Sequence, residues 1–175
     1  MQKLIILRGA PSSGKSTIAK KLRNFEKKIV WLKVDVFKVF FAEDASKALH
    51  FVNESAINVL EYLLEQGFSV VMEGIFQEPK FITLATKVAI QKNIPFKVYE
   101  LKCSLKTLQI RDKNRPGVKE GCRRPLGNKT ITYLDSIIKK KPWVGSIKLD
   151  TEKLSLVECF NILRQEFRYL KAKFA

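Results

Sequence analysis

The sequence predicts an α/β domain: a doubly wound fold of three layers, with a five-stranded, mainly parallel sheet and helices on both faces. Three observations predict it. Short runs rich in β-branched and aromatic residues alternate with stretches whose apolar residues recur at helical spacing, the pattern of βαβ units. The first apolar run leads directly into a glycine-rich loop and then a helix. The chain has 175 residues, 46% hydrophobic and 29% charged, the size and composition of one globular domain.

Leu4 to Leu7 is an apolar run short enough for a buried strand. Ser16 to Lys28 is predicted as a helix and Ile29 to Val34 as the second strand. Lys47 to Gln66 places Leu49, Val52, Ala56, Val59, Leu60, Leu63 and Leu64 at helical spacing and stops at Gly67, a suitable C-terminal cap. Phe68 to Met72 reads as the third strand, Lys80 to Lys92 as a helix and Phe96 to Cys103 as the fourth strand. Ser104 to Asn114 is helical, and Ile147 to Leu149 is a short fifth strand. Ser155 and Glu158 have the spacing of a capping box and start a last helix that runs to about Leu170. From Arg115 to Lys129 the chain crowds glycine, proline and basic residues into what is predicted to be a mobile cationic loop. No repeat or linker divides the chain, so a single domain over residues 1–175 is expected, with a basic lid at about 115–129.

Lysine and arginine total 33 against 17 aspartates and glutamates, a formal net charge of +16. A surface this basic attracts polyanions such as nucleic acid, nucleotides or anionic lipid. Lysines are spread over most of the chain, as a general compositional excess would place them. Residues 101–150 nevertheless hold thirteen basic and four acidic residues, a net of +9. No apolar run approaches the ~20 residues of a membrane helix, and no basic helix with a clean apolar face stands out, so no membrane partner is expected. Met1 to Arg8 lacks the basic region and cleavage site of a signal peptide. Three widely spaced cysteines, Cys103, Cys122 and Cys159, support neither a disulfide framework nor a zinc site, and the single His50 cannot build a histidine metal site. A cytoplasmic protein is therefore expected.

The strongest motif is Gly9-Ala10-Pro11-Ser12-Ser13-Gly14-Lys15-Ser16-Thr17, which fits G-x-x-x-x-G-K-[ST] at every required position. It follows a strand and opens a helix. In that context glycines turn backbone N–H groups inward as an anion nest at the helix N-terminus. Lys15 is expected to reach the β- and γ-phosphates, and Ser16 to ligate Mg²⁺.

Three further groups follow. Asp35 ends the second strand beside the expected γ-phosphate pocket, placed to accept a proton from an acceptor hydroxyl; capping the next helix is its structural alternative. Lys38, one helical turn on, suits an acceptor phosphate or the Asp35 carboxylate. Ser69 to Met72 runs into Glu73, an acid at a strand end that suits a metal held directly or through water. Arg111 and Arg115, four apart, are predicted to share one helix face, and Arg123 and Arg124 follow in the basic loop. Planar guanidinium groups suit phosphoryl oxygens. Trp31, Phe37, Phe40, Phe41 and Phe51 are expected around the acceptor site, most of them in the core, and Trp143 beside the basic run Lys139-Lys140-Lys141.

Together these residues resemble the small P-loop kinases with an arginine lid, over nearly the whole chain. Asp35 with Lys38 looks like the D-x-x-R element of phage-type polynucleotide kinases, in which the Asp is the general base for a 5′-hydroxyl. Lys38 replaces the arginine of that element. Glu73-Gly74-Ile75-Phe76 is more similar to the strand end of zeta-toxin and related sugar-nucleotide kinases. Leu149-Asp150-Thr151 resembles the group's closing strand and base-contacting turn. The absence of any arginine between Arg23 and Arg111 argues against ordinary adenylate-kinase activity.

The resemblance implies a P-loop NTPase fold and transfer of the γ-phosphoryl group of ATP, or GTP, to a hydroxyl with Mg²⁺. Gly9, Ser12, Ser13, Gly14, Lys15, Ser16, Thr17 and Arg111 would hold the donor, and Ser16 and Glu73 the metal. Lys15, Asp35, Arg115, Arg123 and Arg124 would be catalytic, and Asp35 and Lys38 would meet the acceptor. The favoured acceptor is the 5′-hydroxyl of a polynucleotide. The alternatives are a small alcohol (a nucleoside, sugar nucleotide or antibiotic-like compound), or no catalysis at all, with the loop serving a nucleotide-binding switch or nucleic-acid-binding module.

Overall fold

A computed structural model describes residues 2–41, 48–117 and 124–168. The central strand is β1 (Leu4–Gly9), buried along its whole length. Such a continuous apolar run belongs to a strand covered on both faces. β2 (Ile29–Lys33), β3 (Ser69–Gly74), β4 (Phe96–Lys102) and β5 (Ile147–Asp150) complete a five-stranded sheet in the order β2-β3-β1-β4-β5. Every pairing is parallel. The doubly wound α/β fold is therefore as expected, and all the strand ends that carry the motif residues fall along one edge of the sheet.

Alternate residues of the strands feed two cores. Leu4, Ile6, Met72 and Val98 face α2 (Leu49–Glu65) and α3 (Lys80–Gln91). Ile5, Leu7, Val71 and Leu101 face α1 (Lys15–Phe25) and α6 (Leu156–Arg168). A smaller cluster joins α4 (Leu105–Lys113) to α5 (Asn128–Lys140), with Leu108, Ile131 and Ile138 packed on Ala10 of the glycine-rich loop. The α4–α5 pair thus rests on that loop.

Two elements correct the sequence reading. The basic loop ends at Gly127, and Asn128 and Lys129 already belong to α5. Ile131, Leu134 and Ile138 lie at helical spacing on the buried side of α5, a pattern concealed by the charged residues around it. After β2 the chain forms a 3₁₀ helix, Val34–Phe40, that carries Asp35 and Lys38. The capping box is present: the Ser155 amide donates to Glu158 at 2.7 Å and the Glu158 amide donates to Ser155 Oγ at 3.2 Å.

Ion pairs fasten both ends of the sheet. Arg8 of β1 lies opposite Glu100 of β4 and donates to it at 3.0 Å, with both side chains buried. The same guanidinium donates to the Lys141 carbonyl at 2.5 Å and so ties the end of α5 to the central strand. Burial pulls Arg8 below its ordinary pKa, opposed by Glu100. At the opposite end, Glu166 of α6 accepts from Tyr99 Oη at 2.8 Å and from Lys97 at 2.7 Å. Burial and this carboxylate push the Tyr99 phenol upward.

Candidate functional site

The glycine-rich loop is held by sterics as much as by hydrogen bonds. Gly9 has φ +154°, and a Cβ there would lie 2.6 Å from the Leu101 carbonyl oxygen, so only glycine fits. Gly14 starts α1, and no side chain caps the helix. An uncapped start leaves N–H groups for an anion. Lys15 is buried, and its ammonium donates to the carbonyls of Gly9 at 2.9 Å and Ala10 at 2.8 Å, with Ser13 Oγ at 3.4 Å. Ser13 is buried beside it, and Thr17 is exposed on α1.

Ser16 Oγ donates to Glu73 at the end of β3, at 2.9 Å to one carboxylate oxygen and 3.0 Å to the other. Glu73 is only 3% exposed. Burial raises its pKa, opposed by Lys15, the Ser16 hydroxyl and Lys33, while Asp35 adds to the rise. Glu73 is thus within electrostatic reach of both Lys15 and Asp35, which come from two other elements.

Asp35 pairs with Lys38 at 2.6 Å. Both line a cleft of about 120 Å³ together with Val34, Asn53, Phe76 and Phe81. Gly74 stands behind it, where a Cβ would come within 3.0 Å of the Phe76 ring. Of the expected aromatic group, Phe37 and Phe41 pack on the α2/α3 core, while Phe40 and Phe51 stay 74% and 59% exposed. Trp31 does not join them. It packs on the opposite core, with Arg23 and Lys33 over its ring. Trp143 is half-buried, and its Nε1 donates to Thr83 Oγ1 at 3.4 Å.

The arginines separate. α4 ends at Lys113, so Arg115 lies in the turn beyond it and does not share a helix face with Arg111. Arg111 donates to Thr151 after β5, at 2.9 Å to Oγ1 and 2.7 Å to the carbonyl. Arg115 turns the other way: Nε donates to Asp112 at 2.8 Å and Nη2 to Ser12 Oγ at 2.8 Å. Arg124 is exposed, and Arg123 lies outside the described residues, as do Cys122 and positions 118–123 of the expected lid.

Two acids escaped the sequence reading. Asp112, 1% exposed, accepts from Ser12 Oγ at 3.2 Å and from the amides of Leu126 at 2.7 Å and Gly127 at 3.0 Å, besides Arg115. Burial pushes its pKa up, but these hydrogen bonds outweigh burial and the net shift is downward. Glu152 accepts from Ser104 Oγ at 2.6 Å, from the Ser104 amide at 3.0 Å and from Thr107 Oγ1, which hold its pKa down. The available signal was an acid placed between the motif arginines in Arg111-Asp112-Lys113-Asn114-Arg115, read only for its cations.

Among the described residues no cluster of three or more His, Cys, Asp or Glu could enclose a metal ion. One hydroxyl and one carboxylate suit Mg²⁺, which keeps several waters and takes its other ligands from phosphate. No helix among the described residues is long and apolar enough to cross a membrane.

The fold recurs in solved structures. APS kinase CysC of Mycobacterium tuberculosis, in complex with AMPPNP and APS, superposes with a TM-score of 0.67 at 18% identity, over 95% of this chain and 98% of that one. The tunicamycin resistance protein of Deinococcus radiodurans gives 0.68 at 10% identity, over 95% and 96%. A chain of the Pnkp1/Rnl/Hen1 RNA repair complex gives 0.63 at 16% identity, over 89% of this chain and 47% of that one. No curated protein sequence matches. The AAA domain family profile matches residues 4–124, from β1 through the glycine-rich loop, Asp35, Glu73 and α4, and the chain belongs to that family.

Proposed function

We propose that the protein transfers the γ-phosphoryl group of ATP to a hydroxyl acceptor bound in the Asp35 cleft. The observation that carries this reading is the junction at Glu73. Its carboxylate meets Ser16 of the phosphate loop, and in the sheet Glu73 lies opposite Lys33, two residues before Asp35 of the cleft. A donor on the loop and an acceptor in the cleft would thus meet at one sheet edge, where ligands of such sheets bind.

The loop N–H groups and Lys15 bind the phosphates, and Lys15 must exchange the carbonyls of Gly9 and Ala10 for phosphate oxygens to do so. Ser16 and Glu73 would hold Mg²⁺, which neutralises phosphate charge when bound. Asp35 accepts the acceptor's proton, with Lys38 orienting its carboxylate. Arg115, already on Ser12, lies at the loop to neutralise charge on the transferring group, with Arg123 and Arg124 as candidates from the basic segment. Arg111 braces the turn at Thr151, where the resemblance puts the donor base.

For the acceptor we favour a polynucleotide 5′-hydroxyl. Across α4 and α5 the acids Asp112 and Asp135 are both buried and paired, to Arg115 and Lys139, while Lys106, Lys113, Lys129 and Lys140 are exposed, so the surface of these two helices is cationic. A small alcohol is the second reading, favoured by the modest cleft walled by Phe76 and Phe81. The test is transfer of labelled γ-phosphate from ATP to 5′-hydroxyl oligonucleotides and to a panel of nucleosides, sugar nucleotides and aminoglycoside-type alcohols. Wild type should label the oligonucleotide, and Asp35→Asn should lose about 10²- to 10⁴-fold in turnover while still binding ATP. Label on a small alcohol alone would establish the second reading. ATP binding without any transfer would favour a nucleotide switch.

A further inference from the structure

We propose that Asp112 is a positioning residue: it holds Arg115 at the phosphate loop and joins to that loop both the exit of the chain from α4 and its return before α5. Its kinetic part rests on the phosphotransfer reading above, and its structural part does not.

An acid in the last turn of a helix opposes the helix dipole, and a buried carboxylate needs compensation. Asp112 is both, so its partners must offset the cost. It has four of them. Ser12 Oγ and Arg115 Nε donate to Oδ1, and the amides of Leu126 and Gly127 donate to Oδ2. They come from the phosphate loop, the exit of α4 and the entry to α5. Arg115 closes the circuit by donating through Nη2 to Ser12 Oγ. Ser12 is the centre of the exchange, accepting from the guanidinium and donating to the carboxylate. It has φ +68°, a conformation costly for a residue with a Cβ and held here by its partners. A guanidinium left to solvent samples many rotamers, whereas one fixed at two nitrogens is pre-organised.

An ionised carboxylate is suited to this post because it only accepts. Asparagine has the same shape but would turn an NH₂ group toward one pair of donors. Asp112→Asn therefore removes the junction without opening a cavity, and Asp112→Glu keeps the charge but displaces it.

The experiment uses the full chain. Amide hydrogen exchange without nucleotide should accelerate about tenfold at Leu126 and Gly127 and at Ser13, whose amide donates to the Ala10 carbonyl within the loop, in Asp112→Asn, because the loop loses its tie through Ser12. Faster exchange at Leu126 and Gly127 with the loop unchanged would overturn the proposal. If Asp112→Asn does not fold, Ser12→Ala serves: exchange at the Ser13 amide should rise while Leu126 and Gly127 stay protected, and an unchanged Ser13 again overturns it. In steady state, Asp112→Asn should lower kcat about tenfold or more, with KM for ATP changed less than about threefold. Asp112→Glu should recover part of that loss. Asp112→Asn combined with Arg115→Ala should be no slower than Arg115→Ala alone, and losses that multiply would overturn a role through Arg115. Wild type without phosphotransfer would refute the functional reading, and the exchange data would still decide the junction.

Discussion

The Ser16 hydroxyl donates to both oxygens of Glu73, at 2.9 and 3.0 Å. The two groups suited to a divalent cation therefore satisfy one another in the free protein, and the carboxylate they share is buried. Its pKa is raised by that burial. A group raised in the folded state contributes stability that is complete below its unfolded value, about 4.3 for Glu, and lost as pH rises through the folded value. Ionised Glu73 thus destabilises the free protein at neutral pH. Glu73→Gln still accepts from Ser16 and should melt higher than wild type at pH 7.5, with the gap closing toward about pH 4. Thermal melts across that range without nucleotide check this, and a gap independent of pH would contradict it.

Lys15 gives its protons to carbonyls of its own loop. Those contacts keep a buried ammonium satisfied until phosphate replaces them. Lys15→Met should therefore fold, yet lose nucleotide. At a concentration about 100-fold over Kd, ATP should stabilise wild type by roughly 2.7 kcal/mol. Most of that gain should vanish in the variant, as read by the shift in Tm on adding ATP and Mg²⁺.

The Arg8–Glu100 pair joins the inner strands β1 and β4 near their C-terminal ends, buried from solvent. Removing one partner of a buried pair typically costs about 3–5 kcal/mol, whereas replacing both with apolar residues is often neutral. Glu100→Ala should show a loss of that order in urea unfolding. Arg8→Met with Glu100→Leu should recover most of it. A single variant as stable as wild type would show that Lys141 and solvent satisfy Arg8 without the carboxylate.

Arg111 holds Thr151 by side chain and carbonyl. If that turn frames the donor base, Arg111→Ala should raise KM for ATP about tenfold with kcat nearly unchanged, the pattern of lost ground-state binding. A fall in kcat alone would instead place Arg111 with the transferring phosphate.

Much of the architecture was legible because burial on both faces writes strands as unbroken apolar runs, as in Leu4 to Leu7, and because the phosphate loop has a fixed spacing. Ser16 with Glu73 could be anticipated because one starts a readable helix and the other ends a readable strand, and Asp35 with Lys38 because their spacing suits one turn directly after the second strand. α5 was not anticipated, because lysines and polar residues around Ile131, Leu134 and Ile138 masked its period. Asp112 was hidden for another reason. Its partners at Ser12, Leu126 and Gly127 are distant or unremarkable in sequence, and only the packing of α4 over the loop brings them together. Arg115 looked helical by spacing, but the helix ends two residues before it.

Arg111 and Asp112 are neighbours in the chain and so point about 100° apart around α4. One grips Thr151, the other Ser12. Turning the helix either way pulls at least one of them off its partner, and the Glu152 carboxylate on the Ser104 amide stops the helix from sliding along its axis. α4 is keyed like a shaft with two slots and a stop. The span between the β5 turn and the phosphate loop is therefore set in advance, as a gauge block sets a gap.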